Sequence, residues 1–206
     1  MTRSLIFPDG VRLARREEIP GPDADRVWAR IEKANIQPGF DLKAADDSRF
    51  SHYAEINADS PAIWDLVCEL SRSVLGAEAT LLMGAEEEQP VSLGSAPVEE
   101  LISLLAPYRY GLAHDGFLRF GLMSYAERIA GLIVEPTKCL KVWMTNDEPF
   151  LSAMAGQNLA RRGSLEFLEE YANVSKALSP DKLGYVAIPN LMADLTGKIL
   201  GLANPS

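Results

Sequence analysis

Apolar and polar residues alternate along this chain with two different periods, and together they predict a mixture of helices and strands. Apolar positions at helical spacing, bounded by Ser, Asp, Asn, Pro or Gly, indicate helices at residues 23–37, 60–75, 97–105, 146–162, 165–177 and 191–202. Shorter apolar runs indicate strands at 5–7, 11–13, 53–56 and 79–83. The turn Pro8-Asp9-Gly10 separates the first two strands and predicts a hairpin. The polar stretches 39–52 and 86–90 are expected to be loops.

Residues 108–145 differ from the rest, because they are rich in aromatic, β-branched and leucine residues, with turn signals at short intervals. This pattern predicts a four-stranded antiparallel meander. Asp115-Gly116 is typical of a two-residue type I′ hairpin, and such a hairpin sets the strand register. The register places Leu112 and Gly121 on one mixed face of the sheet, together with Tyr110, His114, Phe117 and Arg119. The opposite face is almost wholly apolar and should pack against helices.

The remaining strands of the meander, 129–135 and 138–144, are joined through Pro136-Thr137. Glu135 and Lys138 are therefore expected to face each other across the two strands. No βαβ alternation occurs, which argues against a Rossmann-like sheet. We expect an α+β fold, in which the antiparallel sheet of about residues 108–145 is covered on one face by helices.

The length of 206 residues predicts a single domain, 1–206. The N-terminal hairpin and helix (1–37) and the C-terminal helix (190–202) could form appendages to it. Because no run of about 18 apolar residues and no signal-peptide pattern occurs, we expect neither a membrane segment nor secretion. Cys68 and Cys139 sit in apolar patterns, which predicts two buried thiols in a reducing compartment, with a disulfide as the alternative. These features favour a cytoplasmic protein.

Motifs that carry familiar chemistry are missing from the sequence. GxGxxG, GxxxxGK[ST], GxSxG, HExxH and CxxC do not occur, so we expect no cofactor and no transition metal. The acidic runs Asp46-Asp47 and 86–88 could hold Mg²⁺ or Ca²⁺, but they do not fit the EF-hand spacing. Basic residues form only the isolated doublets Arg15-Arg16 and Arg161-Arg162, so nucleic acid is not an expected partner.

Charge is distributed unevenly along the chain. Residues 36–100 hold thirteen acidic and three basic residues, a net charge of −10, whereas the whole chain carries −9. A one-sided field of this kind repels phosphate and steers basic partners. We expect a basic protein partner, contacted or bordered by six acidic residues: Asp41, Asp46, Asp47, Glu86, Glu87 and Glu88. The alternative is that these residues only keep the protein soluble.

Three stretches of the sequence, residues 62–66, 106–122 (APYRYGLAHDGFLRFGL) and 136–143, resemble uncharacterised bacterial proteins. Those proteins are similar in general character to bacterial immunity proteins, which neutralise a cognate toxin. The resemblance covers residues 52–172 and implies a non-enzymatic protein with a toxin-like partner. It carries over no toxin-binding residue, because immunity families bind their toxins in different ways. We expect a monomer or a homodimer.

The alternative class is a small hydrolase or transferase that uses carboxylates and His114. Tyr110, His114 and Arg119 would form its site on the mixed face of the sheet. A pocket that holds His114 with an acid within hydrogen-bond reach would favour an enzyme, whereas an exposed His114 at a hairpin tip would count against it.

Overall fold

The computed structural model describes residues 4–85, 88–125, 128–182 and 185–203. Within these residues the strands are β1 (Val11–Leu13), β2 (Gly39–Ala44), β3 (His52–Asn57), β4 (Glu78–Ala85), β5 (Val91–Pro97), β6 (Leu118–Tyr125), β7 (Ile129–Val134), β8 (Leu140–Met144) and β9 (Asn173–Ser175). The α-helices are α1 (Ala24–Ile31), α2 (Ile63–Val74), α3 (Val98–Leu105), α4 (Arg109–His114), α5 (Glu148–Gly156) and α6 (Ile188–Ala203). Short 3₁₀ turns occur at Arg16–Glu18, Ser60–Ala62, Ala106–Tyr108 and Leu168–Glu170.

Seven strands form one antiparallel sheet in the order β2-β3-β8-β7-β6-β4-β5. One face of this sheet is apolar and is buried against helices α2 to α6, as Phe120 and Leu122 of β6 illustrate. The opposite face, which we call the open face, carries half-buried side chains such as Tyr53, Ile133 and Trp143. The expected α+β architecture, with an antiparallel sheet covered on one face by helices, is confirmed.

Helix α2 shows how the apolar pattern directs the helical layer. Pro61 lies in the 3₁₀ turn that leads into the helix, where its missing N–H costs no hydrogen bond. Leu66 and Leu70, one helical turn apart, are fully buried against the sheet. At the other end of the chain, α6 adds Leu195 and Ile199 to the same core. In the part of the chain that the structure describes, the helices are too short or too polar to cross a bilayer.

The N-terminal hairpin prediction is wrong. Strand β1 pairs with β9 near the C-terminus, and not with residues 5–7. Residues 165–177, predicted to be a helix, instead form the 3₁₀ turn and β9. The apolar residues of this segment, such as Leu168, pack in a second, small cluster with Val11 and Ile36. Strand β1 provides the backbone hydrogen bonds that a local helix would otherwise make.

Two strands of the large sheet were not predicted. β2 lies in the expected loop 39–52, where Phe40 and Leu42 face the core and charged residues face outward. β5 follows the expected loop 86–90 and forms the other edge. The predicted helix 146–162 ends early, because the backbone beyond Asn158 (φ 54°) runs along the free edge of β2, where Ala160 O accepts the Phe40 N–H at 3.1 Å.

The meander has three strands rather than four, because residues 109–114 form helix α4. The predicted hairpin at Asp115-Gly116 is therefore wrong, although an Asp at this position is well explained. The buried Asp115 carboxylate accepts the N–H of Phe117 at 2.9 Å and that of Leu178 at 3.2 Å. It thereby joins the start of β6 to the C-terminal segment.

Gly116 lies in the turn between α4 and β6, which is not a hairpin, and it takes part in a close backbone crossing. The Gly10 N–H donates to His114 O (2.9 Å), the Lys176 N–H to Gly10 O (2.8 Å), and the Gly116 N–H to Lys176 O (2.9 Å). A Cβ at Gly116 would lie 2.3 Å from Gly10 O, and a Cβ at Gly10 would lie 2.5 Å from Gly116 N. Neither glycine has a positive φ, so both are required by space and not by backbone conformation.

Lys138 does not face Glu135 across the strands, contrary to the prediction. The Glu135 N–H donates to Cys139 O at 2.9 Å, which leaves residues 136–138 as a three-residue loop between β7 and β8. Lys138 occupies the left-handed position of this loop (φ 65°), as in a turn followed by a one-residue bulge. The side chain is buried, and Nζ donates to Leu118 O at 2.8 Å. Burial lowers the pKa of Lys138 to about 7.

We expect Gly116→Ala to destabilise the fold by about 3 kcal/mol, because the new methyl group would press against backbone that cannot move aside. Gly156→Ala is the matched control, since nothing lies within 4 Å of a Cβ at that helical position. Urea unfolding monitored by circular dichroism measures both. Equal midpoints for the two variants would contradict a close crossing at Gly116.

We expect the free energy of unfolding to rise between pH 7 and pH 10 by up to about 1.4 kcal/mol per pH unit on account of Lys138. Over this range the unfolded chain keeps the lysine proton while the folded chain has lost it. Lys138→Met should remove this part of the slope, whereas Lys33→Met, at an exposed position, should not. Urea titrations at several pH values measure the slopes, and identical slopes for Lys138→Met and the wild type would contradict a neutral buried amine.

Candidate functional site

Asp41, the first of the predicted partner-binding residues, lies on the open face of β2 and has a local cation. Its carboxylate is 3.0 Å from Lys43 Nζ, which also lies 3.7 Å from Glu55. The hydrogen bond with Asp41 is the main reason that the pKa of Lys43 is raised. The charge of Asp41 is therefore largely matched by a neighbour on its own strand.

Asp46 and Asp47 lie together in the loop between β2 and β3. Arg49 binds Asp47 through Nε at 3.0 Å and through a terminal nitrogen at 2.8 Å, and the hydrogen bond lowers the pKa of Asp47 to about 2. Asp46 has no ion pair within the described residues. Arg49 O accepts the N–H of Ile129 at 2.9 Å, so this loop extends along the end of the sheet as far as β7.

Glu88 lies apart from these aspartates. It is exposed in the loop between β4 and β5. This loop lies at the opposite end of the strands and near the edge of the sheet that is farther from β2. Its carbonyl oxygen accepts a hydrogen bond from Arg119 at 3.3 Å. Glu86 and Glu87 lie outside the described residues. The structure thus brings Asp46 and Asp47 together but does not place Asp41 or Glu88 with them.

The sheet gathers other acidic residues beside Asp46 and Asp47. At one end, β2, β8, β6 and β5 finish while β3, β7 and β4 begin, as the strand registers show. Within the described residues, the loops and first helical turns at this end, which we call the acidic end, carry seven carboxylates: Asp46, Asp47, Glu78, Glu99, Glu100, Asp147 and Glu148. The Lys and Arg residues there, within the described chain, are Arg49, Arg72 and Arg128, and His52 Nε2 lies 3.9 Å from the Asp147 carboxylate. An excess of four negative charges remains.

Ion pairing at the acidic end involves only some of these groups. Arg49 binds Asp47, and Arg72 binds Glu99 at 2.8 Å. Glu78 and Glu100 are exposed and have no ion pair within the described residues. The first turns of α3 and α5 hold acidic residues that also complement the positive ends of those helix dipoles. The sequence offers that local explanation for Glu100, and no local signal shows that Glu78 lies at the same end of the sheet.

The three residues of the predicted enzyme site do not share a sheet face. Tyr110 and His114 lie on helix α4, one turn apart, whereas Arg119 lies on the open face of β6. Arg119 Nε donates to Glu135 at 2.7 Å, and this ion pair is mostly buried. Arg119 is therefore engaged in a cross-strand contact and is separate from the other two residues.

His114 stands between the Tyr110 ring and the N-terminal segment. The rings of Tyr110 and His114 stack with centroids 4.3 Å apart, and His114 Nδ1 accepts the Asp9 N–H at 3.2 Å. Nδ1 is also 3.5 Å from an Asp9 carboxylate oxygen. Because Nδ1 acts as an acceptor, the proton of the neutral ring is on Nε2. Burial is the main cause of the lowered pKa of His114.

The Asp9 carboxylate has two further partners. The Tyr110 hydroxyl donates to Oδ2 at 2.7 Å, and Lys182 Nζ lies 3.0 Å from the same oxygen. These contacts, the tyrosine hydrogen bond first, lower the pKa of Asp9. The four side chains therefore tie the N-terminal segment to α4 and to the C-terminal segment. Nδ1 of His114 is occupied, so the ring offers only Nε2–H to a ligand.

A cleft of about 350 Å³ lies beside His114. Its walls include Trp64, Asp65, Arg109, Tyr110 and His114. The Asp65 carboxylate and the Arg109 guanidinium are exposed and lie more than 4 Å apart, so the cleft presents both signs of charge. The geometric condition for an enzyme site was a pocket that holds His114 with an acid within hydrogen-bond reach. The cleft meets it in part, because His114 lines the cleft and the Asp9 carboxylate lies 3.5 Å from the ring.

Metal and thiol chemistry find little support among the described residues. They contain no group of three or more His, Cys, Asp or Glu side chains placed to hold a metal ion. Cys68 and Cys139 are free thiols, the first half-buried and the second buried, as expected for a chain without a disulfide. Burial raises the pKa of both, which keeps them in the unreactive thiol form.

Comparison of the chain with protein-family models, with curated proteins and with solved structures finds no match. The function must therefore be inferred from the geometry and charge of the chain itself.

We expect His114 to titrate below the usual histidine pKa, because burial disfavours the imidazolium. Asp9→Asn should lower the pKa of His114 further, since the carboxylate favours the charged ring, whereas Asp46→Asn should leave it unchanged. NMR titration of the two histidines, with His52→Gln to assign them, measures these values. A His114 pKa that rises in Asp9→Asn would contradict the contact.

Proposed function

We propose that this chain is a non-enzymatic acidic binding protein of the immunity-protein kind, which neutralises a basic protein toxin in the cytoplasm. The observation that supports this proposal is the excess negative charge at the acidic end. All three basic residues of the segment 36–100 form ion pairs with acidic residues of that same segment, and Glu78 and Glu100 are still left without one within the described chain. The carboxylates of Glu78 and Glu100 therefore present exposed negative charge that no ion pair in the described chain neutralises.

Exposed negative charge of this kind suits a protein that must find a basic partner quickly. Exposed charges at the rim of an interface mainly raise the association rate, and their effect falls as salt screens them. The same field repels the phosphates of nucleic acids. Within this proposal Asp46 and Asp47 border the contact surface, together with Glu78 and Glu100. Asp41 and Glu88 lie outside it, because the sheet places them elsewhere.

A small hydrolase or transferase is the second candidate, and the His114 cleft favours it. The ring lines a cavity of suitable size, and a carboxylate lies 3.5 Å from Nδ1. Two observations give the binding role precedence. The Asp9 carboxylate is engaged by Tyr110 and Lys182, and Arg119 is held by Glu135 at a distance from the cleft.

The function is tested by expressing, in a bacterial host, the gene immediately upstream of the one that encodes this chain. We expect growth arrest, relief of that arrest when this chain is co-expressed, and direct association of the two purified proteins. The triple variant Asp46→Asn, Glu78→Gln, Glu100→Gln should slow association about tenfold at low salt, with a smaller effect at high salt. Stopped-flow fluorescence measures the rates.

The matched control removes three charges elsewhere: Glu17→Gln, Glu32→Gln, Glu88→Gln. These residues are exposed and lie away from the acidic end. Equal slowing by both triple variants would show that net charge alone matters and would overturn the proposed surface. An upstream product that is harmless, or whose toxicity this chain does not relieve, would overturn the proposed function.

A further inference from the structure

A second cleft, of about 450 Å³, opens at the acidic end of the sheet. The turn between α2 and β4 forms one wall, and the ends of β4, β5 and β6 form the floor. Its side chains include Glu78, Thr80, Ser95, Met123 and Tyr125. Strand alternation places Thr80, Ser95 and Met123 side by side on the open face, where Thr80 pairs with each of the other two.

The charged side chain that lines this cleft is negative. Glu78 supplies a carboxylate without an ion pair, and the described residues that line the cleft include no basic side chain. The hydroxyls of Thr80 and Ser95 lie 2.8 Å apart and share a hydrogen bond, so each keeps lone pairs free to accept another donor. Tyr125, with 58% of its surface exposed, presents an aromatic ring at the rim.

We infer that this cleft is the receptor for an arginine side chain of the basic partner. The inference rests on the proposed function, and it names the group that the acidic end recognises. Glu78 would pair with the guanidinium, the Tyr125 ring would lie against its plane, and the aliphatic part of the side chain would pack on Met123.

Arginine fits these walls better than lysine does. Its planar guanidinium offers a fork of donors to a carboxylate and to neighbouring hydroxyls, and it stacks on aromatic rings. It is also weakly hydrated, which lowers the cost of entering a partly apolar cleft. The His114 cleft lacks this selectivity, because Arg109 and Asp65 present opposite charges there.

A single arginine seated in a cleft would act as an anchor for the whole interface. Arginine is enriched among the few residues that dominate binding at protein interfaces, and such anchors enter pockets while the surrounding contacts exclude water. The other carboxylates of the acidic end would then act as a rim that guides approach. The cleft would thus be one specific recognition site within the general electrostatic field of the acidic end.

The test uses N-acetyl-arginine amide as the probe and the full-length chain labelled with ¹⁵N. We expect saturable chemical-shift changes at Gly76, Glu78, Thr80, Ser95 and Tyr125, and none with N-acetyl-citrulline amide, which has the same shape without the charge. Glu78→Gln should raise the dissociation constant about tenfold. Glu100→Gln, at the same end but outside the cleft, should leave it within about twofold.

Shift changes spread evenly over acidic residues, equal weakening by Glu78→Gln and Glu100→Gln, or equal binding of the citrulline compound would each overturn the arginine site. Because Glu78 is exposed, its substitution should leave the spectrum of the unliganded chain otherwise intact. Neutralisation of the toxin is measured separately. Rescue without arginine binding would remove the cleft and keep the function, and arginine binding without rescue would do the reverse.

Discussion

Three chain segments cross where Gly10, Gly116 and Lys176 exchange backbone hydrogen bonds, and the placement of the His114 cleft depends on that crossing. It holds the N-terminal segment against the end of α4, just before strand β6 begins at Leu118. Asp115 adds a carboxylate clamp on the C-terminal segment. The crossing leaves no room for a side chain at either glycine, because a Cβ there would lie within 2.5 Å of backbone atoms of the neighbouring segments. The stacked rings and the Asp9 cluster follow from the same contact, since it brings the N-terminus to α4.

The sheet order governs the electrostatics in the same way. Strand β4 lies between β6 and β5, and the β2–β3 loop extends to β7, so acidic residues far apart in sequence meet at one end. Neighbouring strands are only about 4.8 Å apart, so charges on adjacent strands lie within a Debye length of about 8–10 Å. Local cations reduce the charge of Asp41 and Asp47, each of which lies two positions from the Lys or Arg that binds it. The negative charge that remains comes from carboxylates that no Lys or Arg of the described chain binds. One of these residues, Glu78, borders the cleft at the acidic end.

Helices and strands with a clear apolar face could be predicted from sequence, because burial of that face is their main source of stability. Helix α2 and strand β4 are of this kind. The failures occur where a remote segment supplies the hydrogen bonds or the space. Residues 173–175 form a strand only because β1 lies beside them. Asp115-Gly116 has the composition of a hairpin turn, yet it meets the Gly10 backbone instead. Of the predicted site residues that the structure describes, only Asp46 and Asp47 lie at the acidic end.

The sequence by itself determined the fold class, the excess of negative charge in residues 36–100 and the lack of familiar catalytic motifs, because composition, apolar period and motif spacing are local properties of the chain. Only the tertiary structure decided that Tyr110 and His114 lie on a helix, that Arg119 binds Glu135, and that Glu78 stands beside Tyr125. These are relations between segments that are distant in sequence. They depend on which strands become neighbours, and no short pattern of residues specifies that order.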